Sequence, residues 1–271
     1  MAPRPVTLIT GASSGIGTEL ARVFAAHGHE LVLVARNEEQ LKALATELAE
    51  SAAVQPHVIA IDLARLDGAA RVSRELAARG LEPAYVVNNA GFGLVGEAAE
   101  LDRTEQVEMV DLNVRSLTDL SLRWVESLRR HKGGILNVAS LAAFMPGPGM
   151  AVYYASKAFV LSFSEALHQE LAPQGVRVTV LCPGPVPTGF QERAGLKAGQ
   201  IFGPLVVPAD KVAQAGFRGL MAGKRVVLPG FGNRLVSLLP RLLPRGVLLR
   251  AVGARQQRRR NAAEPAWPKR G

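Results

Sequence analysis

Val6-Thr7-Leu8-Ile9-Thr10-Gly11-Ala12-Ser13-Ser14-Gly15-Ile16-Gly17 carries the first structural decision in this chain. Residues 6–10 form a short apolar run that reads as a buried strand, and the glycines end it abruptly. Beyond Gly17, Leu20, Ala21, Phe24 and Ala25 recur at helical spacing up to Gly28, and residues 31–35 supply a second buried strand. Strand, Gly-rich turn, helix and strand in this order make a dinucleotide-binding unit. Its three glycines would serve a tight turn, close approach of backbone N–H groups to a pyrophosphate, and close packing of helix on strand. Ser13, Ser14 and Ile16, inside the turn, join Gly11, Gly15 and Gly17 as candidate cofactor contacts.

The second strand ends Val34-Ala35-Arg36-Asn37, with no carboxylate to meet a ribose 2′-hydroxyl. Arg36 is either a solvated residue at a strand end or the partner of a 2′-phosphate. Beside a phosphate-binding turn the second reading favours NADP over NAD. Asn37 reads as a helix cap, with Gln40 at the third helical position and Leu41, Leu44, Ala45 and Leu48 on the buried face. Residues 57–61 form a third strand, whose end delivers Asp62, either to an adenine amino group or as the cap of the next turn.

A helix over 67–79 and a strand over 84–87 follow, the strand emptying into Asn88-Asn89-Ala90-Gly91-Phe92-Gly93. Two asparagines followed by glycines fit a hydrogen-bonded turn, and their place at the edge of the cleft equally makes Asn89, Ala90 and Gly91 candidate cofactor supports. One long helical pattern spans 105–130 with Asn113 inside it. Asparagine is a poor mid-helix residue, because its amide competes with backbone hydrogen bonds, so it is either exposed or marks a functional break.

A fifth strand over 135–139 delivers Ser140 at its end. A helix opening near Val152 and running to Leu171 puts Tyr153 and Lys157 on one face. Drawing a tyrosine down by about three pKa units takes roughly 4 kcal/mol. An ammonium at about 4 Å, with an effective dielectric near 20, offers about that much. Ser140, Tyr153 and Lys157 therefore form a candidate acid/base set with an orienting hydroxyl. A sixth strand over 176–181 leads into Cys182-Pro183-Gly184-Pro185-Val186-Pro187-Thr188, where Thr188 either donates to a cofactor or caps a helix. Residues 189–210 read as an irregular substrate lid, 209–222 as a helix and 225–228 as a last strand. This alternation predicts an α/β, Rossmann-like, doubly wound parallel sheet with helices on both faces, in a single domain over 1–233.

With these pieces in place the chain closely resembles the short-chain dehydrogenase/reductase family over about residues 5–230. The resemblance rests on Thr10 to Gly17, on Asn88-Asn89-Ala90-Gly91, on Ser140, and on Tyr153-x3-Lys157 13 residues later. It implies NAD(P)-dependent interconversion of a carbonyl and its alcohol, with Tyr153 as general acid/base and Ser140 polarising the substrate oxygen. Lys157 would hold the nicotinamide ribose and lower the Tyr153 pKa, and the surroundings of Asn113 would hold a relay water. Pro183, Gly184, Val186 and Thr188 match the segment that meets the nicotinamide carboxamide. Similarity of the Asn-Asn-Ala-Gly-Phe-Gly and 157–167 stretches to ketoacyl reductases raises a hydrophobic or acyl-chain carbonyl as substrate.

Bulk properties agree with a globular enzyme: 48% hydrophobic and 20% charged residues, and one cysteine, Cys182, which excludes a disulfide framework and reads as a small buried hydrophobe. The amino terminus shows no secretory pattern and no metal-binding cluster stands out, so a cytoplasmic, metal-free protein is expected. The net charge of +9 resides in residues 234–271, with ten Lys/Arg and one acidic residue, while the preceding 233 residues carry 22 of each sign. No nucleic-acid motif accompanies that charge. This Leu/Arg-rich extension either lies on an anionic membrane surface or covers the substrate site or a subunit interface, and 253–271 reads as disordered. A homodimer or homotetramer is expected. A low-turnover NADP-binding regulator or membrane-recruited scaffold is the alternative to an enzyme.

Overall fold

A computed structural model describes residues 3–50, 54–194 and 205–262. In chain order the elements are β1 (Arg4–Thr10), α1 (Gly15–Ala26), β2 (Leu31–Ala35), α2 (Glu38–Ala49), β3 (His57–Ala60), α3 (Gly68–Ala78) and β4 (Leu81–Asn88). Next come α4 (Arg103–Val110), a π-helical turn (Asp111–Ser116), α5 (Leu117–Arg123), α6 (Val125–Arg130), β5 (Gly134–Val138) and α7 (Ala151–Leu171). The chain closes with β6 (Arg177–Leu181), α8 (Phe190–Arg193), α9 (Ala209–Met221), β7 (Val226–Val227), α10 (Phe231–Leu242) and α11 (Arg245–Ala262).

The strands pair in parallel in the order β3-β2-β1-β4-β5-β6-β7. A parallel sheet is covered on both faces, which is why its strands are continuously apolar rather than alternating. One face is closed by α1, α2 and α9, with Phe24 edge-on to Phe217 at 4.9 Å. The other is closed by Val72, Leu76, Leu120, Leu128, Leu167 and Leu171 from α3, α5, α6 and α7. Strand order reverses between β1 and β4, and the cleft opens there at the carboxyl ends of the strands.

Two expectations change. The long helix over 105–130 is broken, because the π-helical turn swings Asn113 fully inward and Trp124 separates α5 from α6. β4 starts at Leu81 rather than Ala84: Val6 pairs with Pro83 and Thr7 with Tyr85, so Ala84 is an extra, bulged residue where proline removes a ladder donor. Helix α10 runs across residue 233, with Asn233 and Ser237 buried. Within the stretch expected to be disordered, α11 extends to Ala262, and residues 263–271 lie outside the described residues. In the expected lid, Phe190–Arg193 is helical, and 195–204 fall outside the described residues.

Candidate active site

The Gly-rich turn is built by contacts the sequence pattern only hints at. Gly11 and Gly15 hold φ of +64° and +58°, where a side chain would be strained. A Cβ on Gly17 would stand 2.1 Å from the Gly11 carbonyl oxygen, so helix α1 can start here only with glycine. Thr10 ties the turn to β4: its hydroxyl accepts from the N–H groups of Asn89 and Ala90, each at 3.0 Å. The Asn89 amide donates to the carbonyls of Thr10 (3.0 Å) and Gly11 (3.2 Å), so it stiffens the turn from behind. Ser14, at the helix start, makes no side-chain cap, and the first turn of α1 carries no acidic residue. Uncapped N–H groups with a positive dipole end, in a cradle kept free of Cβ atoms, fit a pyrophosphate.

One cavity of about 590 Å3 runs from this turn past the strand ends. Gly11, Ser13, Ser14, Gly15, Ile16, Arg36, Asp62, Asn89, Ala90, Gly91, Ser140, Tyr153, Lys157, Pro183, Gly184, Val186 and Thr188 all line it. Of the expected residues only Gly17 and Asn113 stay behind its wall. Thr188 packs against Gly15, where an added Cβ would meet its methyl group at 2.9 Å, so the segment after β6 closes over the turn. Arg36 stands exposed at the tip of β2, beside Asn37, whose Oδ1 caps α2 by accepting from the Gln40 N–H at 3.0 Å. Asp62 Oδ1 accepts from the Ala64 N–H at 3.0 Å, so the carboxylate does serve as a turn cap while facing the cavity.

Asn113 occupies the π-helical turn with no exposure. Its Oδ1 accepts from the Phe92 N–H at 3.1 Å, and its Nδ2 donates to the Phe92 carbonyl at 2.9 Å and to Ser156 Oγ at 3.1 Å. Of the two alternatives exposure does not apply: Asn113 sits buried at a break in the helix, and the break pins the 89–93 loop against α7. Gly91 lies between Asn113 Oδ1 and Lys157 Nζ, at 2.8 and 3.4 Å from where its Cβ would be.

Ser140 follows β5, its Oγ accepts from the Ala142 N–H at 3.1 Å, and its hydroxyl acts to lower the Tyr153 pKa. The Tyr153 ring is set 5.4 Å from that of Phe190, and Gly93 leaves room for both. Lys157, buried, donates from Nζ to the Val138 carbonyl at 2.9 Å. Its ammonium lies 5.9 Å from the Tyr153 ring centre.

This geometry corrects the electrostatic expectation. Burial pushes the Tyr153 hydroxyl up to about 12, with the Ser140 hydrogen bond only partly offsetting it and Tyr154 adding to the rise. Burial likewise draws Lys157 down to about 8. In the cofactor-free chain the Lys157 charge is directed to the Val138 carbonyl, so desolvation dominates both groups and Lys157 does not lower Tyr153. Cys182, fully buried at the end of β6, has its thiol pushed up by burial and serves as packing.

Several residues in or behind the cavity wall carried no readable signal in the sequence. Arg193 on α8 places its guanidinium carbon 4.4 Å from the centre of the Phe92 ring, and burial together with Arg36 lowers its pKa. Asn233 lies under Gly184, which has no room for a Cβ, and donates to the carbonyls of Leu205 at 3.1 Å and Pro229 at 2.7 Å. Tyr154, Val236, Val252 and Gln256 also line the cavity, the last three from α10 and α11. Among the described residues no group of His, Cys, Asp and Glu could hold a metal ion.

Residues 5–198 match the family described as short chain dehydrogenase. Sulfoacetaldehyde reductase of Chromohalobacter salexigens is 40% identical over 185 residues, 67% of this chain and 72% of that protein. A short-chain dehydrogenase from Sphingobium yanoikuyae, solved in complex with NADPH, has a TM-score of 0.78 and 31% identity, covering 98% of this chain and 99% of its own. The bulky-bulky ketone specific alcohol dehydrogenase from Comamonas testosteroni has a TM-score of 0.73 and 27% identity, covering 99% and 98%.

Proposed function

Since the chain belongs to the short-chain dehydrogenase/reductase family, we propose that it interconverts a ketone or aldehyde and its alcohol with NADP as cofactor, and that Tyr153 moves the proton. The observation that carries this reading is the convergence of Ser140, Tyr153 and Lys157 on the same cavity as the glycine turn and Arg36. The bound nicotinamide supplies or accepts the hydride.

The rest falls to the protein. With Tyr153 raised to about 12 and Lys157 near 8, the resting pair at neutral pH is a protonated phenol beside an ammonium. A phenol that still holds its proton is equipped to donate it to a carbonyl oxygen, and in the reverse direction it must first lose that proton, so that the phenolate can take one from the alcohol. Ser140 holds the Tyr153 hydroxyl and can donate to the same substrate oxygen. Lys157, from a site walled by Gly91 and Val138, would hold the ribose and replenish the proton. The uncapped start of α1 and Thr188 would take the pyrophosphate, Arg36 the 2′-phosphate, Asp62 the adenine end, and Pro183, Gly184 and Val186 the nicotinamide end. NADP over NAD follows from the lack of any carboxylate at the tip of β2, and the NADPH complex of the Sphingobium yanoikuyae relative points the same way. A roomy cavity with a large apolar share suits a hydrophobic or acyl-chain carbonyl.

The test is NADPH oxidation across a panel of aldehydes and ketones. Activity on at least one, cut about a hundredfold or more in Tyr153→Phe, is the expected outcome; consumption insensitive to that change would sink the mechanism. The complete catalytic set weighs against a low-turnover scaffold.

A second role for the extension rests on the outer face of α10, where Phe231, Leu235, Leu238 and Leu242 are exposed beside Arg234. An apolar stripe with cationic neighbours suits an anionic bilayer surface. Among the described residues no helix is long and apolar enough to cross a membrane. Pelleting with phosphatidylserine vesicles tests this docking. Failure to pellet, with a dimer or tetramer by light scattering that Leu238→Glu dissociates, would assign the stripe to a subunit contact instead.

A further inference from the structure

The second half of the extension turns back onto the cavity. On α11 most side chains face solvent, yet Leu248 and Gln256 are 6% and 4% exposed. Gln256 Nε2 donates to the Tyr154 hydroxyl at 3.1 Å and lies 3.5 Å from Met150 Sδ. Gln256 Oε1 is buried with no hydrogen-bond partner among the described residues. If the amide is turned over, Tyr154 takes the carbonyl and the NH2 is left in the same state, so one end of the amide is always unsatisfied. A buried amide end without a partner is costly, and a leucine or methionine would fill this position without that cost.

What surrounds the pair indicates its use. Tyr154 and Gln256 line the same cavity as Ser140 and Tyr153, and the Tyr153 and Tyr154 ring centres are 6.2 Å apart. Met150 lies against Gln256, and Met145, Leu205 and Val252 line the same cavity, so part of its wall is apolar and adaptable. Methionine walls accept bulky, irregular groups, and the hydrogen-bonded Tyr154 and Gln256 beside them set a point of recognition.

We infer that Tyr154 and Gln256 form a second substrate subsite, which takes a hydroxyl carried by a bulky apolar carbonyl compound. A hydroxyl both donates and accepts, so once the Gln256 side chain rotates its buried amide end toward the cavity, a substrate hydroxyl satisfies that end and the Tyr154 hydroxyl together. The C-terminal helix is thereby part of substrate selection. This inference rests on the carbonyl reading of the preceding section, so its test reads binding rather than turnover.

Benzylacetone and its para-hydroxy analogue are titrated calorimetrically into full-length protein saturated with oxidised NADP, which cannot reduce either ketone. In the native protein the hydroxylated ketone binds about tenfold more tightly. In Gln256→Met and in Tyr154→Phe that preference falls to about onefold, while the plain ketone and NADPH bind within about twofold of native. No preference in the native protein, or a preference that survives both substitutions, overturns the subsite. An equal loss for both ketones overturns it too, because Gln256 would then be only a clasp between helices. A ternary complex with the expected preference but no NADPH-driven reduction would remove the enzymatic reading and leave the subsite standing.

Discussion

Tyr153 and Lys157 lie one helical turn apart, and burial moves their pKa values toward the neutral form of each. Between about pH 8 and 10.5 the unfolded chain keeps Lys157 protonated while the folded chain releases that proton. The unfolded state then binds more protons, so stability rises with pH across that window and is lost again below pH 8. Tyr153 acts in the opposite sense from 10.0 to about 12, where the folded state holds the extra proton and stability falls. Urea midpoints of the cofactor-free protein should therefore climb from pH 8, and Lys157→Met should abolish a rise of up to about 3 kcal/mol. Arg36 gives a second prediction at this scale: Arg36→Ala should weaken NADPH binding about tenfold with little change for NADH, read by cofactor fluorescence. Equal losses for both cofactors would contradict a 2′-phosphate partner.

At the scale of elements, the turn between β1 and α1 and the break before α5 hold the cleft open in two different ways. The first depends on the absence of side chains. Gly17→Ala forces a carbon onto the Gly11 carbonyl and the Asn89 amide, and is expected to lower the melting temperature and abolish NADPH binding together. The second depends on a side chain. Asn113→Ala leaves the Phe92 N–H and carbonyl unpaired in a buried place, at a cost of roughly 1–3 kcal/mol by urea denaturation. Helix α1 is held on the sheet by Phe24 against Phe217 and Tyr85, and Phe24→Ala should cost about 3–5 kcal/mol. Apolar periodicity made α1, α2 and α7 legible, because each buries one face against the sheet. The interrupted α4 to α6 region was not legible, since a π-helical turn leaves the apolar pattern nearly unchanged and only the misplaced asparagine betrays it.

For the whole molecule, charge and composition set residues 234–271 apart, yet the fold does not. Helix α10 crosses the expected boundary, and α11 buries Leu248 and reaches the cavity through Val252 and Gln256. The phosphate-binding end of the cleft and the C-terminal helices occupy different stretches of the wall. Removing residues 244–271 should therefore leave NADPH affinity within about twofold while raising KM for bulky ketones at least about tenfold, with small aldehydes less affected. Unchanged kinetics on bulky ketones would show that the extension is dispensable for substrate.

The sequence by itself determined the doubly wound sheet and the glycine turn, and it singled out Ser140, Tyr153 and Lys157, which share one cavity with the residues expected on the cofactor side. These are recorded in local spacing, where a turn, a helical repeat or a strand end fixes what its neighbours can do. Only the tertiary structure decided how those groups are tuned and what shares their cavity. A pKa depends on burial, and burial of Tyr153 and Lys157 comes from elements far away in the chain. The placement of Arg193, Asn233 and Gln256 likewise depends on how α8, α10 and α11 return to the cleft, a matter of packing between segments that no local pattern encodes.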